Sequence, residues 1–387
     1  MNKLDFKYKI LICYDFYPPA FKGGGIIRSV FNLSEFLTEF CEVYVFTSDS
    51  DLGASSMLNV SPNTWVDYAP DLKVFYSNRT TQNLKRIYQL INSVKPDVIY
   101  LNGIFTPKFS LYPLLISKFL NFSPLWVMAP RGMLQKGALS IKPSKKKIYL
   151  FILRHLRVLS KIKWQATDSQ EEIDIKRIFG SDCRIETAMN IPNFHVSTNL
   201  KLQKKEKELN IVFLALISPV KNLKYLIDIL NQIEDSYSIK LAIYGPIKDA
   251  LYWEECQKSI SNSLANIKIS YRGELESSKV NEVLREYHLF SMLSLGENFG
   301  HSIFESLIAG TPVLISNKTP WKELEKHQAG WDVNLNDPNT IQNLIQEIAN
   351  LDQSAYENLR KGAKIHADRY IQENDFKKQY QKLFELT

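Results

Sequence analysis

Two carboxylates, Glu297 and Glu305, flank a short stretch that reads as a turn opening into a helix. An apolar run, LFSMLSL, ends at Gly296 and is followed by Glu297, Asn298, Phe299 and Gly300. Helical spacing of apolar residues begins near Ser302 and stops at Gly310, Thr311 and Pro312. Glycine followed by proline is a helix stop signal. A strand, a glycine-bearing turn and a helix in that order leave backbone N–H groups unpaired at the helix N-terminus, where the dipole favours an anion. Here those are the N–H groups around Asn298, Phe299 and Gly300. Glu305 lies about one turn into the helix, within reach of a ligand held at that end. A carboxylate beside a phosphate site accepts hydrogen bonds from sugar hydroxyls. The stretch suits a phosphorylated, hydroxyl-rich ligand; the alternative is an ordinary strand–helix turn with two solvated glutamates.

A second candidate lies near the start. KILICYDFYPP reads as a buried strand ending in a proline-containing loop, and Gly23, Gly24 and Gly25 follow before the helical pattern IIRSVFNLSEFLTEF. This is again a phosphate-approach geometry, although the order G-x-G-x-x-G is absent and the dinucleotide fingerprint fails. Arg131, in Pro130-Arg131-Gly132-Met133 after the strand SPLWVMA, has a planar fork suited to oxyanions. It also fits the rim of a basic face. Asp49-Ser50-Asp51 has the form D-x-D, but no third ligand is in view and a turn of short polar residues is the better reading. No ligand cluster for a metal is visible, and no cofactor is expected.

The elements that position these residues follow from length and patterning. At 387 residues the chain suits two domains. Cys13, Cys41, Cys183 and Cys256 are scattered, without zinc or disulfide spacing, which points to reduced thiols in a cytoplasm. The N-terminal apolar run is too broken by charge for a signal peptide, and no run is long enough to span a bilayer. Strands alternate with helical patterns throughout, which implies α/β layers with parallel sheets. Polar, mixed-charge residues at 198–209 read as a linker between a domain at 1–197 and one at 210–365. The tail from 366 to 387 is helical and amphipathic, and Ser169 with Glu172 fits a capping box.

Charge is uneven. The formal net charge is +7, and between Asp97 and Asp168 there are twelve basic residues and no acidic one. Tyr149, Phe151, Leu153 and Trp164 are interleaved with them. A basic, apolar-studded segment suits an anionic membrane surface or a lipid diphosphate; the plainer alternative is a solvated face. No helix-turn-helix, RNP or zinc-finger pattern accompanies it, so nucleic acid is not expected as a partner.

Glu297 and Glu305, separated by seven residues, together with the ENFG turn, resemble the E-x7-E signature of family 4 (GT4) retaining glycosyltransferases. The resemblance runs the length of the chain. It implies the GT-B fold, two Rossmann-like domains facing across a cleft, with the C-terminal helix crossing back to the N-terminal, acceptor-binding domain. It implies that Gly23, Gly24 and Gly25 close over the donor diphosphate and acceptor, and that Arg131 lies at the bottom of the cleft. Tyr100, Leu101, Asn102 and Gly103 stand where members often carry H-x-H-G, so Asn102 is an acceptor-side candidate. Lys221 matches the lysine of G-R-x-x-x-x-K, while Leu216 replaces its arginine and Ala215 its glycine. Gly245, in Tyr244-Gly245-Pro246, matches the loop beneath the nucleotide, and Arg272 is a base contact. IETAMNIPNF resembles the stretch that closes the first domain, with Phe194 in place of glycine.

The reaction so implied is metal-independent transfer of a hexose from a nucleotide diphosphate sugar to an acceptor hydroxyl, with retention. Lys221, the turn N–H groups and the glycine loop would hold the diphosphate, Glu305 the ribose, and Glu297 the donor sugar. The expected setting is the cytoplasm, peripheral at the inner face of the bacterial membrane. A lipid-linked glycan would be the acceptor, in O-antigen, capsule or exopolysaccharide synthesis. A sugar-nucleotide epimerase of the same architecture and a non-catalytic binding protein are the alternatives, the latter favoured only by Leu216.

Overall fold

The computed structural model describes residues 7–54, 56–140, 143–155, 159, 161–194 and 202–386. Contacts divide the chain into two compact units. One runs to Ile191 and resumes at Asp375; the other is Pro192–Asn374.

The first unit is an eight-stranded sheet. Its strands are β1 (Tyr8–Cys13), β2 (Cys41–Ser48), β3 (Trp65–Ala69), β4 (Leu72–Ser77), β5 (Val98–Asn102), β6 (Leu125–Ala129), β7 (Ile162–Ala166) and β8 (Arg184–Thr187). The order is β3-β4-β2-β1-β5-β6-β7-β8, parallel apart from the β3–β4 hairpin. The central strands β1, β5 and β6 are buried almost throughout, as expected of parallel strands covered on both faces. The second unit is a parallel sheet of β9 (Glu208–Leu214), β10 (Ser238–Tyr244), β11 (Ile267–Tyr271), β12 (Leu289–Met292), β13 (Val313–Ser316) and β14 (Gly330–Val333). Their order is β11-β10-β9-β12-β13-β14.

Both sheets reverse their winding once, between β1 and β5 in the first unit and between β9 and β12 in the second. In doubly wound sheets the loops at such a switch point part at the carboxyl ends of the strands and leave a crevice for ligands. The fold therefore names two places to look before any side chain is considered.

Three local expectations change. β9 begins at Glu208 and Leu209 is fully buried, so the last two residues of the interval read as linker are strand; residues 198–201 lie outside the described residues. One helix, Gln353–Glu373, continues through residue 366 packed against the helix His301–Ile308. The chain rejoins the first unit only with the next helix, Phe376–Phe384, which buries Phe376, Tyr380, Leu383 and Phe384 there. The cap of the helix Ser169–Phe179 is Asp168, whose carboxylate accepts from the Glu171 N–H at 2.7 Å. Ser169 is already helical, and Glu172 pairs instead with Lys176 one turn on.

Candidate active site

At the switch point of the second unit, the chain leaves β9 and makes a short 3-10 turn, Pro219–Lys221, before the helix Leu223–Leu230. Asn222 takes a left-handed conformation there, and its side-chain amide donates to the Leu293 carbonyl at 3.0 Å. The Leu295 N–H and the Ser294 hydroxyl both donate to the Val220 carbonyl, at 2.8 and 3.1 Å. The loops after β9 and β12 are thereby stitched together. Their neighbouring side chains form an ion pair, Lys221 Nζ to Glu297 Oε1 at 2.5 Å. Glu297 is 8% exposed and Lys221 22%. The pair is part-buried, with the lysine side still reachable by water.

The helix that follows, His301–Ile308, starts at Gly300, which has φ 79° and ψ 64°. No side chain caps this N-terminus and no acidic residue lies in its first turn, leaving the end open in charge terms to an anion. Glu305 sits inside the helix, 2% exposed. Both carboxylates singled out by the spacing are thus withdrawn from bulk water. The turn itself is anchored from beneath by an aromatic cluster. Trp321 Nε1 donates to the Phe299 carbonyl at 2.6 Å, and the Phe299 ring packs on Trp321, Phe304 and Tyr370. The Phe299 ring and carbonyl are committed to the core, which leaves its N–H as the group the sequence reading assigned to a ligand.

Gly245 has φ 136°, and a Cβ there would lie 1.9 Å from the Ala215 carbonyl oxygen. The loops after β9 and β10 run side by side, Ile217 N–H donating to the Pro246 carbonyl at 2.9 Å, so glycine is required by close backbone approach. Ala215 and Leu216 are partly buried in that loop. Arg272 is exposed just past β11, its N–H bonded to the Ile243 carbonyl.

At the switch point of the first unit the side chains are arranged differently. Arg131, in left-handed conformation with φ 58°, is 6% exposed. Its Nε donates to Asn102 Oδ1 at 3.0 Å, Nη2 to the Tyr100 hydroxyl at 2.8 Å and Nη1 to Asn190 Oδ1. The Tyr100 hydroxyl donates in turn to Gln165, which donates to Tyr380 of the C-terminal helix at 3.1 Å. Arg131 is therefore a buried brace joining β5, β6, the segment after β8 and, through Gln165, the last helix. The reading as a rim arginine of the basic face is overturned by this burial. Its expected role as a donor contact has to reckon with the three protein groups its nitrogens already serve. Lys163, also counted on the basic stretch, is likewise inside, donating to the Lys382 carbonyl at 2.6 Å.

Glu171, which the sequence reading passed over, holds the turn after Arg131. It accepts from the Gly132 N–H at 2.6 Å and from the Thr167 N–H and hydroxyl at 2.9 and 2.7 Å. Burial pushes its carboxyl up from the usual range, and these donors oppose the shift. Asp51 holds the glycine loop, accepting from the N–H groups of Phe21 and Lys22 at 2.9 and 3.1 Å and of Leu52 at 2.7 Å. Its oxygens are spent on backbone, so Asp51 is a loop brace. Gly24 then opens the helix Gly25–Leu37 with φ 78°, and a Cβ on Gly23 would meet Ile27 at 2.9 Å. Asn102 is fully buried, with Nδ2 lacking a hydrogen-bond partner. Asp15, two residues beyond the end of β1, is partly buried and its carboxyl is pushed up to about 7 by desolvation, opposed by Lys108.

Comparison with known proteins agrees with this layout. Residues 198–366 match the family described as glycosyl transferases group 1. The O-antigen biosynthesis glycosyltransferase WbnH of Escherichia coli is 22% identical over 297 residues, 76% of this chain and 78% of that protein. Among solved structures, sucrose-phosphate synthase from Thermosynechococcus elongatus superposes with a TM-score of 0.73 at 16% identity, covering 98% of this chain and 100% of that one. Anabaena HepE in complex with UDP and glucose gives 0.69 at 16% identity, covering 98% of each chain. WaaG, a glycosyltransferase involved in lipopolysaccharide biosynthesis, gives 0.67 at 12% identity over 97% of this chain and 99% of that one. At these identities the structures establish the fold.

Proposed function

With the GT-B fold and a group 1 glycosyltransferase match across its second unit as premises, we propose that this protein is a family 4 retaining glycosyltransferase. It moves a hexose from a nucleotide diphosphate sugar to an acceptor hydroxyl without a metal. The observation that carries this reading is the Lys221–Glu297 ion pair, which sits at the switch point of the second unit beside the uncapped helix His301–Ile308. A diphosphate at that helix end competes for Lys221, and Glu297, released from the lysine, turns to the donor sugar. The bond from the anomeric carbon to the diphosphate oxygen breaks, the electron pair leaving on the phosphate. The acceptor oxygen bonds the anomeric carbon from the same face, and its proton passes to the departing phosphate oxygen. Lys221 and the turn N–H groups stabilise the charge that develops on that phosphate. Glu305 takes the ribose hydroxyls, while Gly245 and Arg272 border the base.

The glycine loop Gly23–Gly25, Asn102 and Arg131 belong to the acceptor-binding unit in this reading. A lipid-linked glycan of a bacterial surface polysaccharide is the proposed acceptor, supported by likeness to WbnH and WaaG. The helix Pro143–His155 supports contact with an anionic membrane: Ile148 and Phe151 are each 62% exposed among lysines. No helix among the described residues is long and apolar enough to cross a membrane.

The test is a melting-temperature screen of the purified protein against UDP-, GDP- and dTDP-sugars, followed by transfer with the one that stabilises it. NMR of the new linkage should show the donor's anomeric configuration kept, and EDTA should leave the rate unchanged. Interconversion of sugar epimers without acceptor would make the protein an epimerase; stabilisation by none of the nucleotides would leave a binding scaffold.

A further inference from the structure

The loop that follows β13 is tied to the acid-bearing turn that follows β12. The Ser316 hydroxyl donates to the Ser294 carbonyl. The Glu297 N–H donates to the Lys318 carbonyl at 3.4 Å, and Trp321 Nε1 holds the Phe299 carbonyl at 2.6 Å. Ser316 also accepts from the Lys318 N–H at 3.3 Å. Lys318 is thereby kept beside Glu297, between two anchored residues of its own loop. Ser316, Thr319 and Trp321 are buried. Lys318 is exposed, and its ammonium has no ion-pair or hydrogen-bond partner among the described residues.

Charge gives that lysine a task. The turn and its helix carry two acids, Glu297 and Glu305, against one lysine, Lys221, whose ammonium is already matched to Glu297. A diphosphate adds further negative charge, more than the partial charge of one helix N-terminus balances. Leu216, part-buried on the loop after β9, brings none. His301 opens the helix, where a positive charge opposes the dipole. Lys248 and Arg272 are exposed, but their N–H groups bond to the Ile217 and Ile243 carbonyls, away from the turn. Lys318 is the cation with an open ammonium whose backbone is bonded to the turn itself.

We propose that Lys318 is a donor-binding residue, its ammonium supplying the second positive charge to a diphosphate held at the turn. The inference rests on the transferase reading above and deepens it by naming a residue from a third loop. When the diphosphate takes Lys221 from Glu297, that carboxylate is left beside an anion without its counter-ion. A second ammonium on a flexible four-carbon stem offsets the repulsion. As the bond to the anomeric carbon breaks, charge grows on the departing phosphate, and Lys318 stabilises it together with Lys221.

Two variants separate charge from shape: Lys318→Gln removes the ammonium, and Lys318→Arg keeps a cation. Calorimetric titration measures binding of UDP, GDP and dTDP. Saturation-transfer NMR follows uridine, guanosine and thymidine, the matching nucleosides without phosphate. For the diphosphate that stabilises wild type, Lys318→Gln should weaken affinity roughly tenfold or more, while Lys318→Arg stays close to wild type. The matching nucleoside should bind all three proteins alike, a readout that a merely structural role would not preserve. In transfer, Lys318→Gln should lower kcat as well as raise the donor KM, because the ammonium acts on charge that grows in the transition state. Lys248→Gln, at an exposed lysine of the loop after β10, should leave the affinity unchanged. Undiminished diphosphate affinity in Lys318→Gln, equal weakening of nucleoside and diphosphate, or an equal loss from Lys248→Gln would overturn the proposal. Failure of wild type to bind any of the three diphosphates would instead bring down the transferase reading itself, and the inference with it.

Discussion

The two units share a winding pattern, with loops parting after β1 and β5 in one and after β9 and β12 in the other, yet they furnish the two crevices differently. The second unit places a lysine against a carboxylate, 2.5 Å apart and partly reachable by water. The first unit buries an arginine whose hydrogen-bond partners are neutral, Tyr100, Asn102 and Asn190, with the Glu171 carboxylate nearby. In the proposed reading the ion pair is exchangeable: a diphosphate takes over the cation and frees the anion. A guanidinium bonded to three neutral oxygens is fixed in place, with its geometry determined by the fold. On that reading one switch point trades partners and the other holds its shape.

Four measurements break or sharpen that contrast. The largest effect is expected from Lys221→Ala and Glu297→Ala, which should each lower transfer by about a thousandfold, the scale of losing a charge-stabilising group in a water-poor site, while urea midpoints move little. A similar loss of stability would mean the pair is structural. Second, Arg131→Met should cost about 3 kcal/mol, since it strands buried partners in the core. Hydrogen exchange should show the first unit opening and the second unaffected; a melting curve like that of wild type would dissolve the distinction.

Third, Trp321→Phe removes only the indole N–H that holds the Phe299 carbonyl. A loss of about 1 kcal/mol of stability is expected, with a donor affinity that weakens several-fold because the turn is no longer pinned. Unaltered donor binding would detach the aromatic cluster from the site. The smallest effect concerns pH, and its sign differs between units. His288 accepts from the Asn210 N–H through Nδ1 at 3.0 Å and donates through Nε2 to the Gln203 carbonyl at 2.9 Å. Burial lowers its pKa, so the stability it confers on the second unit is complete above about 6.5 and is lost as pH falls below that. Asp15 has the opposite sign: its folded carboxyl titrates at about 7, so the first unit loses stability as pH rises from about 4 towards that value. Hydrogen exchange on wild type, His288→Gln and Asp15→Asn across this window should give slopes of opposite sign in the two units. Parallel slopes, unaltered by the variants, would refute the assignment.

Much of this protein is read in one dimension. Continuous apolar runs bounded by Gly and Pro announce buried parallel strands, and the Glu297–Glu305 spacing with its glycine turn announces a strand–helix anion site, because both depend on neighbours within one or two turns of chain. Glu171 and Trp321 escaped notice, and Asp51 was read only as part of a polar turn, for the opposite reason. The partners they hold lie at Phe21 and Lys22, at Gly132 and at Phe299, far away along the chain. The N–H of Phe299 was legible from its position in the turn; the core contacts of its ring and carbonyl were not.

Arg131 marks the limit most plainly. The motif suggested a cation at the bottom of a cleft and the run of basic neighbours a cation at a rim, and nothing local distinguishes either from a brace buried between strands. By itself the order of residues determined the strands, the helices and the acid-bearing turn, since periodicity and backbone chemistry act over short range. Only the tertiary structure decided which charges are exchangeable and which are locked. That depends on burial and on partners from strands that meet once the sheets have closed.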